Sequence, residues 1–146
     1  MKKILFALLF LTGTVVYGQS AFAKAEQLYR AEKYDKALFS FSKLYEQDST
    51  DLNVVERLGD IAGHKKDFET AMNYYKLLLE IKPKDAHYNF KYGGAMGLYA
   101  KGCSKLKALG MLDDIKMYLK RAAGLDLNHI ESRHALSQLY CELPGI

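Results

Sequence analysis

The sequence predicts an all-α solenoid of stacked helix–turn–helix units, about three of them, followed by a single C-terminal helix. Three observations predict it. The chain matches itself at a shift of 34 residues: Tyr34 falls on Phe68, Ala37 on Ala71, Phe41 on Tyr75, Leu44 on Leu78 and Asp51 on Asp85. Within each copy the apolar residues recur at three- and four-residue steps, which is one stripe of an α-helix. Finally, the 146 residues include only 2 prolines, so long helices meet few breaks.

The first element is set apart from the rest. Lys2 and Lys3 precede the unbroken apolar run Ile4 to Leu11, which Val15 and Val16 extend. Small residues at Val16 and Gly18 suit the positions before a cleavage point. Residues 1–18 therefore read as a secretory signal peptide, cut after Gly18, with an uncleaved anchor as the alternative. The run is about 13 residues, short of the roughly 20 that a spanning helix needs. A lipoprotein is disfavoured because the nearest cysteine is Cys103. Export, most simply to a bacterial periplasm or medium, follows as an expectation. Cleavage leaves 128 residues, and the formal charge drops from +4 to +2 because two lysines leave with the signal. With no second long apolar run, no stable membrane insertion of the mature chain is expected.

The repeat organises residues 19–146. A first unit covers about 19–51, with Ala25, Tyr34, Ala37, Phe41 and Leu44 on its stripes. A second covers 52–85: Val55, Leu58, Gly59 and Ala62 mark its first helix, and Phe68, Ala71, Tyr75 and Leu78 its second. Small residues at Gly59 and Ala71 suit two backbones in close approach. Neither helix pair can bury its stripe alone, and stacking does so. A third unit, 86–129, opens with Tyr92 and Gly93 in register. It then slips by about ten residues near 101–110 before Leu112, Ile115, Leu119 and Ala122 restore the pattern. The extra stretch, KGCSKLKALG, is expected to lengthen the first helix with an irregular end, or else to bulge as a loop. A final helix covers 130–142, with Asn128 and Glu131 spaced as a capping box. It ends before Pro144 as the opening half of a fourth unit, so the chain reads as a shortened member or a fragment of a longer array.

A 34-residue helix–turn–helix carrying Gly59, Phe68, Ala71, Tyr75, Leu78 and Pro83 at these spacings resembles the tetratricopeptide repeat. The resemblance covers the whole chain after the leader and is most specific in the second unit. It implies a protein or peptide partner, held on the concave face that the first helix of each unit lines. The positions implied to face it are Phe22, Glu26, Tyr29 and Arg30 in the first unit and Asn53, Glu56, Asp60 and His64 in the second. The third supplies His87, Phe90, Gly94 and Leu98, and the fourth Glu131, His134, Gln138 and Cys141. An ordinary solvated inner face is the competing reading. The family's clamp for a C-terminal carboxylate needs basic and amide groups where this chain has Phe22 and Glu26, so that ligand is not carried over.

Chemistry is thinly represented. Gly97 to Ser104 approaches a P-loop, but Cys103 stands where the phosphate-reaching lysine belongs and no strand precedes it. His129 and His134 are five apart, off the spacing that puts two ligands on one helix face, so no metal or cofactor is expected. Cys103 and Cys141 are a possible disulfide between neighbouring units, or two separate thiols. Asp113 and Asp114 are read as favouring the start of their helix. Gly93 and Gly97 read as a close helix contact. Lys101, Lys105 and Lys107 open a stretch to Arg121 with six basic and two acidic residues, a candidate basic patch for an acidic partner. The reading is thus an exported interaction scaffold or adaptor, not an enzyme, with no nucleic acid partner at this charge. The alternative is a self-associating structural module.

Overall fold

A computed structural model describes residues 21–142, so the leader and the last four residues lie outside the described part. All regular structure among the described residues is α-helical: α1 (21–30), α2 (Tyr34–Gln47), α3 (Leu52–His64), α4 (Phe68–Ile81), α5 (Ala86–Lys101), α6 (Lys105–Leu125) and α7 (Ile130–Glu142). The fold is an all-α helix–turn–helix solenoid, as the periodicity predicts. The helices belong to two compact units, divided between Ile61 and Ala62 within α3.

The 34-residue repeat is visible in the backbone. At the end of α1, the Lys33 N–H donates to the Leu28 carbonyl and the Glu32 N–H to that of Tyr29. At the end of α3, the Asp67 N–H donates to Ala62 and the Lys66 N–H to Gly63. This paired closure satisfies carbonyls that a helix end leaves open, and it needs a left-handed residue. Glu32 (φ 55°) and Lys66 (φ 62°) take that conformation, although neither is glycine. The turn after α5 departs from this pattern. Gly102 there has φ −88°, and the Gly102 and Cys103 amides donate to Tyr99 and Ala100 in tighter turns.

Caps fix the other helix starts and measure the slip in the third unit. Asp51 accepts from the Asn53 amide, Asp85 from Tyr88 and His129 from Ser132. Asp67 accepts from Thr70 and Ser104 from Lys107. From Asp67 to Ser104 is 37 residues rather than 34, and from Ser104 to His129 is 25 rather than the 18 between Asp67 and Asp85. Three extra residues thus go into α5 and its turn and seven into α6. The lengthened-first-helix expectation is corrected: Lys105 to Gly110 form the opening turns of α6. Seven residues are about two helical turns, so the apolar stripe of α6 stays in phase. Asp113 and Asp114 consequently lie mid-helix, not at its start. The cap of α7 is His129 rather than Asn128, whose own amide donates to Asp126.

In the first compact unit Ala25, Ala37, Phe41, Val54, Leu58 and Ile61 are buried. Each large aliphatic or aromatic among them stabilises the fold by about 1.5–3 kcal/mol. In the second, Met96 and Ala100 of α5 pack with Ile115 and Leu119 of α6, flanked by Leu136 and Leu139 of α7. Gly93 explains the close approach there, since a Cβ on it would meet the Tyr118 Cβ at 2.9 Å. Gly97 is not part of that contact, because its Cβ would meet Ile115 at an ordinary 3.8 Å. Asn89, fully buried, donates its amide to the Pro83 and Asp85 carbonyls and pins the loop before α5.

Candidate functional site

In the first compact unit the candidate residues converge on Arg57, which the sequence reading missed. Its guanidinium donates to both oxygens of Glu26 at 2.7 and 3.2 Å and to Asp60 at 2.9 Å. Glu56 lies 3.9 Å from it, and the Tyr29 ring lies beneath it at 5.1 Å. Three carboxylates and one aromatic are thereby gathered around one cation. Glu26 takes a third bond from Arg30, on the next turn of α1, at 3.3 Å. The Arg57 hydrogen bonds hold the Glu26 carboxyl below its ordinary pKa, against the opposing pull of burial. Arg57 itself is raised, chiefly by Glu26. Burial, with the Asp60 charge, pushes the Tyr29 hydroxyl up to about 12. The signal available in the sequence was the i, i+3 spacing of Arg57 and Asp60; Glu26, 31 residues away, needs the fold.

Other candidates in this unit do different work. Phe22 meets Phe41 edge-to-face at 5.4 Å and so extends the core. Asn53 and the Arg30 guanidinium are exposed.

The second compact unit divides its candidates between two places. At the start of α7, His129 packs against Phe90 (5.1 Å between centroids) and His87 (6.0 Å). Its Nδ1 accepts from the Ser132 amide, which puts the ring proton on Nε2. Glu131 lies beside it at 3.6 Å. His64 and His134 are exposed.

At the other end of α7 lies a cavity of about 570 Å³ between α5, α6 and α7. Phe90, Gly94, Leu98 and Gln138 from the candidate face line it, together with Leu109, Leu112, Ile115 and Leu139. Lys101, Lys105 and Glu142 stand at its rim, and Lys101 donates to Glu142 at 2.8 Å. Lys107, of the same basic stretch, donates to the Tyr99 hydroxyl at 2.9 Å, and that bond raises its pKa. The disulfide considered above is not formed. Cys103 sits half-buried in the break between α5 and α6, Cys141 is exposed on α7, and both are free thiols. Among the described residues no group of three His, Cys, Asp or Glu side chains is placed to hold a metal ion, and no helix is long and apolar enough to cross a membrane.

No protein-family model matches this sequence, and no curated protein matches it significantly. Solved structures do match. The chain is similar to TTC0263, a thermophilic tetratricopeptide repeat protein of Thermus thermophilus, with TM-score 0.75, 18% identity, and 85% of this chain and 64% of that chain covered. It is similar to the first such repeat domain of Spaghetti (RPAP3), solved with the HSP90 peptide SRMEEVD, with TM-score 0.70, 18% identity and coverages of 85% and 90%. A third is PcrH from Pseudomonas aeruginosa, with TM-score 0.66, 19% identity and coverages of 86% and 90%. The chain spans under two thirds of the length of the Thermus protein. These likenesses show the fold, a tetratricopeptide-like all-α solenoid.

Proposed function

We propose that this protein is an exported interaction scaffold that binds a protein or peptide partner on the inner face of its helices. The observation that carries the reading is the state of Leu98. It stands 49% exposed at the edge of an open apolar cavity, on a candidate partner-facing position. Exposed apolar surface beside a preformed hollow is what a partner covers. The likeness to RPAP3, whose structure holds a peptide, supports partner binding by such a fold. It does not suggest the same peptide, because an acidic ligand reaching Glu26 would meet a carboxylate already held by Arg57 and Arg30. The leader sequence supports export, with Gln19 as the first mature residue.

The test is a photo-crosslinking residue at position 98 in cells of the native host, with the same label at Lys120 as control. A discrete protein adduct at 98 and none at 120 is expected; equal or absent adducts refute the inner-face reading. Fractionation with N-terminal sequencing checks export, which an intact Met1 in the cytoplasm would refute.

A second reading has its own support. Leu125, Leu127 and Ile130 are exposed around the α6–α7 connection, Ile130 by 75%. Such a surface suits stacking on another copy. Sedimentation velocity over a hundredfold concentration range decides this, and a strictly monomeric species counts against it.

A further inference from the structure

We propose that the cavity between α5, α6 and α7 binds a single-chain long fatty acid, its hydrocarbon inside and its carboxylate at Lys105. The inference goes beyond the scaffold reading, since it needs no protein partner.

The first ground is the polarity of the site. Its walls are apolar side chains and glycine backbone. The charged lining groups are Lys101, Lys105 and Glu142. They gather at one end, because Lys101 ends α5, Lys105 begins α6 and Glu142 ends α7. Glu142 is bonded to Lys101. Lys105, exposed at the rim, makes no side-chain hydrogen bond or ion pair with another described residue, so among these three groups it is the cation not already bonded to a carboxylate. The complement of this arrangement is an apolar body with one anionic end. An extended peptide would bring a donor and an acceptor at nearly every residue, and among the described lining residues Gln138 is the one uncharged polar side chain able to meet them.

The second ground is the glycines. Gly94 and Gly97 weaken α5, yet packing does not require them. A Cβ at Gly94 meets nothing within 4 Å, and one at Gly97 makes an ordinary contact. Both line the cavity. Their effect is to keep a smooth wall and an open space, in contrast to Gly93, which the Tyr118 contact demands.

The third ground is size. With about 30 Å³ for each water- or methylene-sized group, 570 Å³ holds about 19 such groups. Hexadecanoate, with 18 heavy atoms, fits this.

The test is calorimetric titration of the purified chain with saturated fatty acids of 8 to 16 carbons, below their aggregation concentrations. One-to-one binding is expected, tightening up to about fourfold per added methylene. Gly97→Leu and Gly94→Leu should keep the helical circular dichroism and weaken dodecanoate at least tenfold. Lys105→Glu, an exposed change that leaves the core intact, should weaken dodecanoate but not dodecanol. The proposal is overturned by absence of saturable binding, by affinity independent of chain length, by equal affinity for dodecanoate and dodecanol, or by binding that survives both Gly97→Leu and Lys105→Glu. An apolar peptide that binds in a Gly97→Leu-sensitive way while fatty acids do not would also overturn it, and would make the occupant a protein segment.

Discussion

Replacing Arg57 by methionine keeps most of the side chain's length and removes its charge. In the native protein this one cation holds Glu26 through two hydrogen bonds and Asp60 through a third, with Glu56 and the Tyr29 ring at its edge. The carboxylates are well sheltered, Glu26 and Asp60 being only 14% and 10% exposed. Removing one partner of a buried pair costs about 3–5 kcal/mol. Arg57 is itself 27% exposed, so water recovers part of that and about 2–4 kcal/mol remains at pH 7. For a chain of this size the melting temperature should fall by roughly 10 °C. The pH dependence is the sharper test. Native Glu26 has a depressed pKa, so its stabilisation is complete above the ordinary value of 4.5 and is lost as pH falls through the lower folded value. In Arg57→Met the carboxylates crowd without their cation and gain from protonation. The gap between the two proteins should therefore narrow on acidification from pH 7 to pH 3. Urea unfolding followed by circular dichroism at both pH values measures it. A difference below 0.5 kcal/mol at pH 7 (about the size of a surface substitution), or one unchanged at pH 3, would refute the reasoning.

Lys66→Gly should stabilise by about 0.5–1 kcal/mol, because glycine takes the φ of 62° without a Cβ penalty; an unchanged or lower urea midpoint contradicts this. His129→Ala should cost about 1 kcal/mol through loss of the α7 cap, and His129→Asn should restore most of it; equal midpoints for the two variants would show that the ring acts by packing alone. Gly93→Ala should destabilise by about 1–3 kcal/mol, since its methyl would overlap Tyr118, while Gly124→Ala, open to solvent, should gain a few tenths to about 1 kcal/mol. Differential scanning calorimetry reads both, and a matching sign would refute the packing argument.

Much of this fold is legible in the sequence because its signals are local and repeated. Phe41 and Tyr75 mark equivalent places, and both are buried. The turn geometry at Glu32 and Lys66 is equally regular, but no composition signal announces it, since neither residue is one that usually adopts a positive φ. His129 escaped as a cap because histidine is not among the usual capping residues. The third unit misled for a physical reason. The stretch Lys101 to Gly110 is read as lengthening the first helix, but the break falls at Gly102 and Cys103 and Ser104 caps a new helix, so Lys105 to Gly110 lengthen α6 instead. Of the site, the rim lysines stand out by the charge of their stretch, and Phe90, Leu98 and Gln138 are positions that the resemblance implies. That Arg57 rather than Tyr29 centres the first-unit cluster could not, because its main partner lies 31 residues away.

The seven residues added to α6 have a geometric consequence. α6 has 21 residues and α7 has 13, which at 1.5 Å per residue makes them about 32 Å and about 20 Å long. After the short 126–129 connection α7 runs back to the α5–α6 turn, where its Glu142 takes a hydrogen bond from Lys101. Leu109 and Leu112 lie in the N-terminal half of α6, where the added turns are, and line the cavity. The added length of α6 therefore supplies part of the hollow's wall, alongside the glycines of α5. An array of otherwise interchangeable modules can acquire a binding recess by lengthening one strut by a whole number of turns.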